Sequence, residues 1–544
     1  MDKKILYAIF SLVILLIILD SWYAFTSVGR WIWIGEGGGG GGPPPKCSDL
    51  TPYGYCSSTK PKYCSSGTLI NNCTYCGCPT GQSCNTTTKS CYTPVTAQYQ
   101  VTVDSSKVIG TNNLLLGFHL DWERPNYFID PGRQAYRNLA KDANFKLVRV
   151  FDYRNTSLYF PQYANIMPCT SWNSASKSCA SWNWTTVDNL TNAIFSVGAE
   201  PLFVLGAAWA PISSRIPPGM SINSSTGLPN PDEYAVYAAA WVSHFKQTGK
   251  LVRYYELLNE PYHWYGWPDP NNPNQKLKDV VAWWNAAARA MRAVDSQIYI
   301  SNDALTQRAL LNYWVNYGDD VDSIDFHKYD SGEPGQNFTD AQMFSRAESN
   351  IFENSSNWYG IDTARQIWYN KRGEWLPVMS TEFNFNSTPY PSVQNMTGAV
   401  WTSLVIRKAM LKGMNYLTYF EFSDGPNPGA ELGMINYSNN KPWYPYYVQK
   451  MIGPNLAVGD SIVNSSSNYN NLSSIAWNHN GKLNILLIHK STVSKTISLS
   501  GVSGTFSYQK IDNTYPYYNA QIQTGTINAG DVITLNGYTV MLLQ

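Results

Sequence analysis

Charge is scarce in this chain. Only 14% of its 544 residues are Asp, Glu, Lys or Arg, and 39 basic side chains stand against 38 acidic ones. No basic run is present to track a phosphate backbone, which argues against nucleic acid as a partner. A glycine-rich phosphate turn is also missing after the first strand of the central region, so a doubly wound nucleotide-binding sheet is disfavoured. Between Cys47 and Cys91 large apolar residues are too few to form a core, and that segment must be held some other way. Aromatic residues, by contrast, make up 14% of the chain, and most are expected in the interior. The length calls for two or three folded units with accessory segments.

At the N-terminus, Lys3 and Lys4 precede an apolar run from Ile5 to Leu19, and Trp22, Tyr23 and Phe25 continue it at interfacial polarity. The run is short for a spanning helix, but the aromatic belt extends it to about 20 residues, and no small-x-small cleavage site follows. Residues 1–35 are therefore read as an uncleaved transmembrane anchor, with a cleaved signal peptide as the alternative, and the bulk of the protein lies outside the cell. Within 36–46, six glycines and three prolines form a flexible, then stiff, linker. The segment 47–95 carries Cys47, Cys56, Cys64, Cys73, Cys76, Cys78, Cys84 and Cys91. In an oxidising compartment these predict four disulfides, although the close spacing of Cys73, Cys76 and Cys78 leaves a zinc module as the competing reading. Cys169 and Cys179 would close one further loop. Asn-x-Ser/Thr sites at Asn72, Asn85, Asn155, Asn189, Asn337, Asn395 and Asn464 fit an exported surface.

From residue 112 apolar strand-like runs alternate with helical patterns. Eight candidate strands cover 114–120, 146–151, 200–206, 252–259, 297–302, 323–329, 376–382 and 415–422. Helical stretches such as 279–293, with Trp283, Trp284, Ala287 and Ala288 on one face, separate several of them. Eight strand-helix units predict an α/β fold, a (β/α)8 TIM barrel over 112–455, whose functional side chains lie at the C-terminal ends of the strands. Glu260, in Glu256-Leu257-Leu258-Asn259-Glu260-Pro261, and Glu382, in Ser380-Thr381-Glu382-Phe383, fall at such ends on the fourth and seventh strands. Two glutamates so placed suit cleavage of a glycosidic bond. One donates a proton to the leaving oxygen, the other attacks or stabilises the anomeric carbon, and neither a metal nor an organic cofactor is required. After residue 456 short alternating runs indicate an all-β sandwich over 456–544, and the strand near 96–111 is expected to pair into it.

The ordered set Tyr255-Glu256-Leu257-Leu258-Asn259-Glu260-Pro261, Phe326-His327-Lys328-Tyr329, Ser380-Thr381-Glu382 and Phe422-Ser423-Asp424 resembles clan A retaining glycoside hydrolases, family 39 and family 5 in particular. The stretch Leu432-Gly433-Met434-Ile435-Asn436 with Lys441-Pro442-Trp443-Tyr444 resembles the family 39 pattern after the last barrel strand. The resemblance implies that Glu260 is the acid/base and Glu382 the nucleophile, with carboxyl groups about 5 to 5.5 Å apart. It further implies that Asn259 holds the sugar 2-hydroxyl, that Arg149 and Tyr329 steady Glu382, and that His327 lines the sugar site. His119, Trp209, His263, Trp264, Phe420 and Glu421 complete the expected substrate-binding set, with Trp264, Tyr265 and Trp267 building an aromatic cleft. One departure stands out: the family's tryptophan on the eighth strand is replaced by Phe420, followed by Glu421, so the stacking platform is smaller or moved. Glu256 reads as a buried structural partner, and Glu123 as either a specificity residue or a loop ion pair. The substrate implied is a β-linked polysaccharide of glucan or mannan type, attacked internally. An exo-acting enzyme such as a xylosidase and a non-catalytic glycan-binding surface protein are the alternatives.

Overall fold

The computed structural model describes residues 44–93, 96–151, 165–206, 216–331, 338–387, 391–425 and 432–544. The proposed anchor, most of the linker, Asn155, Trp209 and Asn337 lie outside the described residues. Among the described residues, no helix is long and apolar enough to cross a membrane. The chain divides into two compact units, Met1–Val95 and Thr96–Gln544.

In the first unit two small hairpins, Lys62–Ser65 with Thr68–Asn71 and Ser83–Asn85 with Ser90–Tyr92, are tied by Cys47–Cys64, Cys56–Cys76, Cys73–Cys84 and Cys78–Cys91. The buried apolar side chains described here are cysteines, namely Cys47, Cys64, Cys73 and Cys76. Cross-links thus do the work of a core, and the zinc reading loses its ligands, since no described cysteine is free.

The second unit contains a barrel of eight parallel strands: β1 Leu115–Leu120, β2 Leu147–Phe151, β3 Glu200–Val204, β4 Tyr254–Glu256, β5 Tyr299–Ser301, β6 Ile324–Tyr329, β7 Val378–Asn384 and β8 Tyr416–Tyr419. They pair in the order β5-β4-β3-β2-β1-β8-β7-β6. Across the remaining seam Asp322 N–H donates to the Ile300 carbonyl at 3.1 Å and Leu305 N–H to that of Asp325 at 3.2 Å. Each strand overlaps a run expected from the sequence. The fourth ends early, at Glu256, and the seventh continues past Glu382 to Asn384 with its register shifting between Ser380 and Phe383. Alternation sorts the side chains. On β2, Val148 and Val150 join the outer core beneath the helices, whereas Leu147 and Phe151 join an interior cluster with Leu202, Val204, Tyr254 and Met379. Arg149 lies between Leu147 and Phe151 on that inward face.

Helices Pro231–Gln247 and Gln275–Val294 pack outside the barrel, their first turns capped by the side chains of Asn230 and Asn274. Trp283, Trp284, Ala287 and Ala288 are all buried, as their spacing suggested. The sandwich contains nine strands, and Tyr99–Thr111 lies within it, antiparallel to Ser461–Ser467 and parallel to Lys495–Ser500. Its strands alternate between two cores. Ile475, Trp477, Leu486, Ile488 and Leu542 belong to the barrel's outer core, while Ala476, Ile485, Leu487 and Leu543 turn to the sandwich's own. Arg407, on the barrel helix Met396–Leu411, seals this boundary by donating to the Ser474 carbonyl at 2.8 Å.

Candidate active site

Arg149 organises the C-terminal end of the barrel. Its Nε donates to Glu256 Oε2 at 2.7 Å, Nη1 to Glu382 Oε1 at 2.5 Å, and Nη2 to Asn259 Oδ1 at 2.7 Å. One buried guanidinium therefore fixes residues from β4, β7 and the loop after β4, using the planar fork that distinguishes arginine from lysine. Burial opposes its charge, but Glu256 and Glu382 more than compensate and raise its pKa. Glu256 is fully buried and receives Thr381 Oγ1 at 3.3 Å as well, so it holds Arg149 in place from below. Tyr329 donates its hydroxyl to the other oxygen of Glu382 at 2.5 Å.

Glu260 lies four residues beyond β4, with φ at 47°, in the left-handed region that glutamate seldom occupies. Its backbone N–H is held by Asp303 Oδ2 at 2.5 Å. Asp303, just past β5, also lies 3.3 Å from His327 Nε2, and His327 Nδ1 lies 3.0 Å from Glu260 Oε1. A carboxylate oxygen of Glu260, one of Glu382 and a nitrogen of His327 all fall within 4.8 Å of one another. Glu256, Asp303 and His327 form a second such group. Either could bracket a cation by distance alone, but each carboxylate set already faces Arg149 or His327.

Burial raises the carboxyls of Glu256 and Asp303, and pushes that of Asp325 up to about 8. His327 goes the other way from what burial dictates: Glu382 and Asp303, with the hydrogen bond to Glu260, push it up to about 9. Burial would likewise raise Glu260, yet hydrogen bonds with His263 and His327 hold its carboxyl well below the usual range. The opposed shifts favour the imidazole as the holder of the proton between Glu260 and His327.

Two cavities meet at Glu260. One, about 210 Å³, is lined by Trp122, Phe151, Asn259, Glu260, Glu382 and Phe420 among others. The second, about 460 Å³, shares Glu260, Tyr329 and Ser387 with the first and is otherwise lined by Tyr262, His263, Trp267, His327 and Trp358 among others. Trp122, beneath whose ring face Arg124 lies at 4.5 Å, shares the first cavity's wall with Phe420. Trp122 and Phe420 thus give this cavity aromatic walls, one of them from just past β1.

Several expected residues sit elsewhere. Glu421 does not face the cleft: its carboxylate is fully buried 3.2 Å from Arg124 Nε, while Phe420 lines the smaller cavity. Trp264 packs partly buried against the outer core and Tyr265 is buried with it, since one helical turn, Tyr262–Tyr265, rotates successive side chains away from the cleft. His119 is buried between Phe151 and Phe420, at centroid distances of 4.9 and 5.0 Å, and lines neither cavity. Burial lowers its pKa strongly, so it faces Glu382 at 4.0 Å as a neutral ring. Glu123 pairs with Arg124 at 3.5 Å, the loop ion pair. His263, half exposed, lies 3.2 Å from Glu260 Oε2. Sequence reading missed Asp303, Tyr262 and Trp358. Asp303 ends the polar Ser301-Asn302-Asp303 step after an apolar strand, the same signal that marked Glu260 and Glu382.

The motif after β8 has a structural task. Asp424 accepts Gly433 N–H at 2.9 Å, Trp443 Nε1–H at 2.8 Å and Gln394 Nε2–H at 3.0 Å. A side chain at Gly433 would lie 2.0 Å from Asp424 N, so only glycine fits there.

No family model and no curated protein matches this sequence. Solved structures do match in fold. A monomeric β-xylosidase from Caulobacter crescentus CB15 is 14% identical with a TM-score of 0.54, over 82% of this chain and 98% of that one. A glucosidase from Croceicoccus marinus is 13% identical with a TM-score of 0.57 over the same shares. A glycoside hydrolase family 30 subfamily 8 xylanase from Clostridium acetobutylicum is 15% identical with a TM-score of 0.50, again over 82% and 98%. This chain therefore shares the architecture of a TIM barrel with an attached β-sandwich with these proteins.

Proposed function

We propose that this protein is a retaining glycoside hydrolase acting on β-linked glycans, with Glu382 as nucleophile and Glu260 as acid/base. The observation that carries the reading is the pair itself: one oxygen of each carboxylate lies within 4.8 Å of one of the other, a proximity that suits double displacement, whereas inversion needs room for a water between the groups. Arg149 and Tyr329 donate to the two oxygens of Glu382 and orient it for attack on the anomeric carbon. Asn259, fixed by Arg149, presents its amide to the sugar beside the attacked carbon. As Glu382 becomes an ester its charge disappears, and His327 loses one of the carboxylates that keep it protonated. Its proton passes across the 3.0 Å contact to Glu260 and on to the leaving oxygen. In the second step Glu260 takes a proton from water attacking the glycosyl-enzyme, and the ester breaks to return Glu382.

The fold neighbours, named for xylose, glucose and arabinofuranose chemistry, support a glycan substrate without singling out one sugar. A β-glucan or β-mannan type polysaccharide cut internally remains our reading. The small size of the cavity around Glu382, about 210 Å³, favours exo action as the second reading, because a terminal sugar needs less room there than a chain passing through. Export to an oxidising compartment is supported by five disulfides, and residues 1–35 would be its membrane anchor. Proton NMR of the first-formed product tests the mechanism. We expect retained β configuration, and an α product would overturn it.

A further inference from the structure

The second cavity carries an inference that rests on the reading above and specifies the substrate further. Glu260, Tyr329 and Ser387 line both cavities, whereas Glu382 itself lines only the smaller one and Tyr262, His263, Trp267 and Trp358 only the larger. A nucleophile must sit under the sugar whose anomeric carbon it attacks, and the acid must stand between that sugar and the leaving group. The 460 Å³ cavity therefore lies on the leaving-group side.

Its walls have a definite shape. The rings of Tyr262 and Trp267 are stacked, 5.0 Å apart at 26°. Trp358 stands across both, at 90° to Tyr262 and 78° to Trp267, with centroid separations of 5.6 and 5.7 Å. The three rings make a corner. Its position is set before any ligand arrives: Tyr359 N–H donates to the Thr306 carbonyl at 2.8 Å and Arg308 N–H to that of Asn357 at 3.0 Å, tying the Trp358 loop to the segment after β5. On the other wall Asn274 Nδ2 donates to the Tyr265 carbonyl at 2.7 Å. Trp267 nevertheless keeps 53% of its surface exposed, which core packing does not account for.

We infer that this corner is a leaving-group subsite for a pyranose ring, so the preferred substrate carries at least one further sugar beyond the bond that is cut. A pyranose has an apolar C–H face and a rim of hydroxyls. A corner covers one face and one edge and leaves the remaining hydroxyls to water or to polar groups such as His263. A flat aromatic aglycone is apolar on both faces and would leave one of them wet. Rings already fixed in place spare the substrate much of the ordering cost of binding.

Glycosyl fluorides test this, because fluoride leaves without occupying the corner. Wild type, Trp267→Ala, Trp358→Ala and Trp358→Phe would be assayed on β-glucosyl, β-mannosyl and β-xylosyl fluorides, on the matching β-1,4-linked trisaccharides and on nitrophenyl glycosides. The measured quantity is kcat/KM for trisaccharide divided by kcat/KM for the fluoride of the same sugar. We expect each alanine variant to lower that ratio about tenfold or more, a tenfold change being about 1.4 kcal/mol, with Trp358→Phe recovering part of it. The fluoride rate itself reports whether a variant is folded. An unchanged ratio in both alanine variants overturns the subsite while leaving the hydrolase reading intact. A loss confined to nitrophenyl glycosides overturns it in favour of an aromatic aglycone. Failure of wild type on every fluoride and trisaccharide removes the hydrolase reading, and the subsite with it.

Discussion

At the scale of single residues, the two glutamates should separate cleanly by chemistry. Glu382→Ala should be nearly inactive, with azide restoring turnover from the vacated face and giving an inverted glycosyl azide. Glu260→Ala should lose about 10²- to 10⁴-fold on poor leaving groups and much less on good ones, with azide yielding a retained product. Product analysis by NMR distinguishes these outcomes, and equal behaviour of the two variants would contradict the assigned roles. His327 adds a pH dependence. Its folded pKa of about 9 lies above the ordinary 6.5, so the proton it shares with Glu260 is lost as pH rises through about 9. Hydrolysis of poor leaving groups should fall there, and in His327→Gln that limb should move to lower pH by about one unit or more. Stability follows the same sign. The contribution, at most about 3 kcal/mol, is fully present below pH 6.5 and lost on rising through about 9. Thermal melts between pH 6 and 10 should therefore fall more steeply in wild type than in His327→Gln.

Among the secondary-structure elements, legibility depended on how much of the signal is local. The eight barrel strands were readable because each is an apolar run of near-strand length between helices, and Glu382 was readable because a carboxylate inside such a run is costly unless it has a use. Which way a side chain points was harder. Glu421 and Phe420 are adjacent, and only the closed barrel decides which faces inward. The trio after Glu260 failed for a related reason: a single helical turn carries Trp264 and Tyr265 toward the core and leaves Tyr262 at the cleft, where Trp358 arrives from about a hundred residues later. Asp303 was missed because its partners, the Glu260 N–H and His327, come from two other strand ends. The polar step ending its strand was there to read, but these long-range partners leave no spacing that would have singled it out.

For the molecule as a whole, the division at Val95 gives a prediction about economy. A chain starting at residue 96 should fold and hydrolyse soluble substrate at rates within a few-fold of the full protein, because every candidate catalytic residue lies in the second unit. Removing 456–544 should instead cause aggregation, since Ile475, Trp477, Leu486 and Leu542 share the barrel's outer core and their loss bares its apolar surface. Size-exclusion chromatography and activity on the two truncations check both statements. A folded but inactive 96–544 chain would place part of the active site in the cysteine-rich unit.

The pairing of Tyr99–Thr111 with strands about 350 to 400 positions later has a consequence for synthesis. That strand emerges before any of the barrel, yet its neighbours on both sides are among the last to be made. At roughly 5–20 residues per second the ribosome leaves it without them for tens of seconds. Throughout that interval its backbone donors and acceptors are open to any extended chain nearby. The run Asp104-Ser105-Ser106-Lys107 in its middle, polar and charged, is well suited to keep it from pairing prematurely.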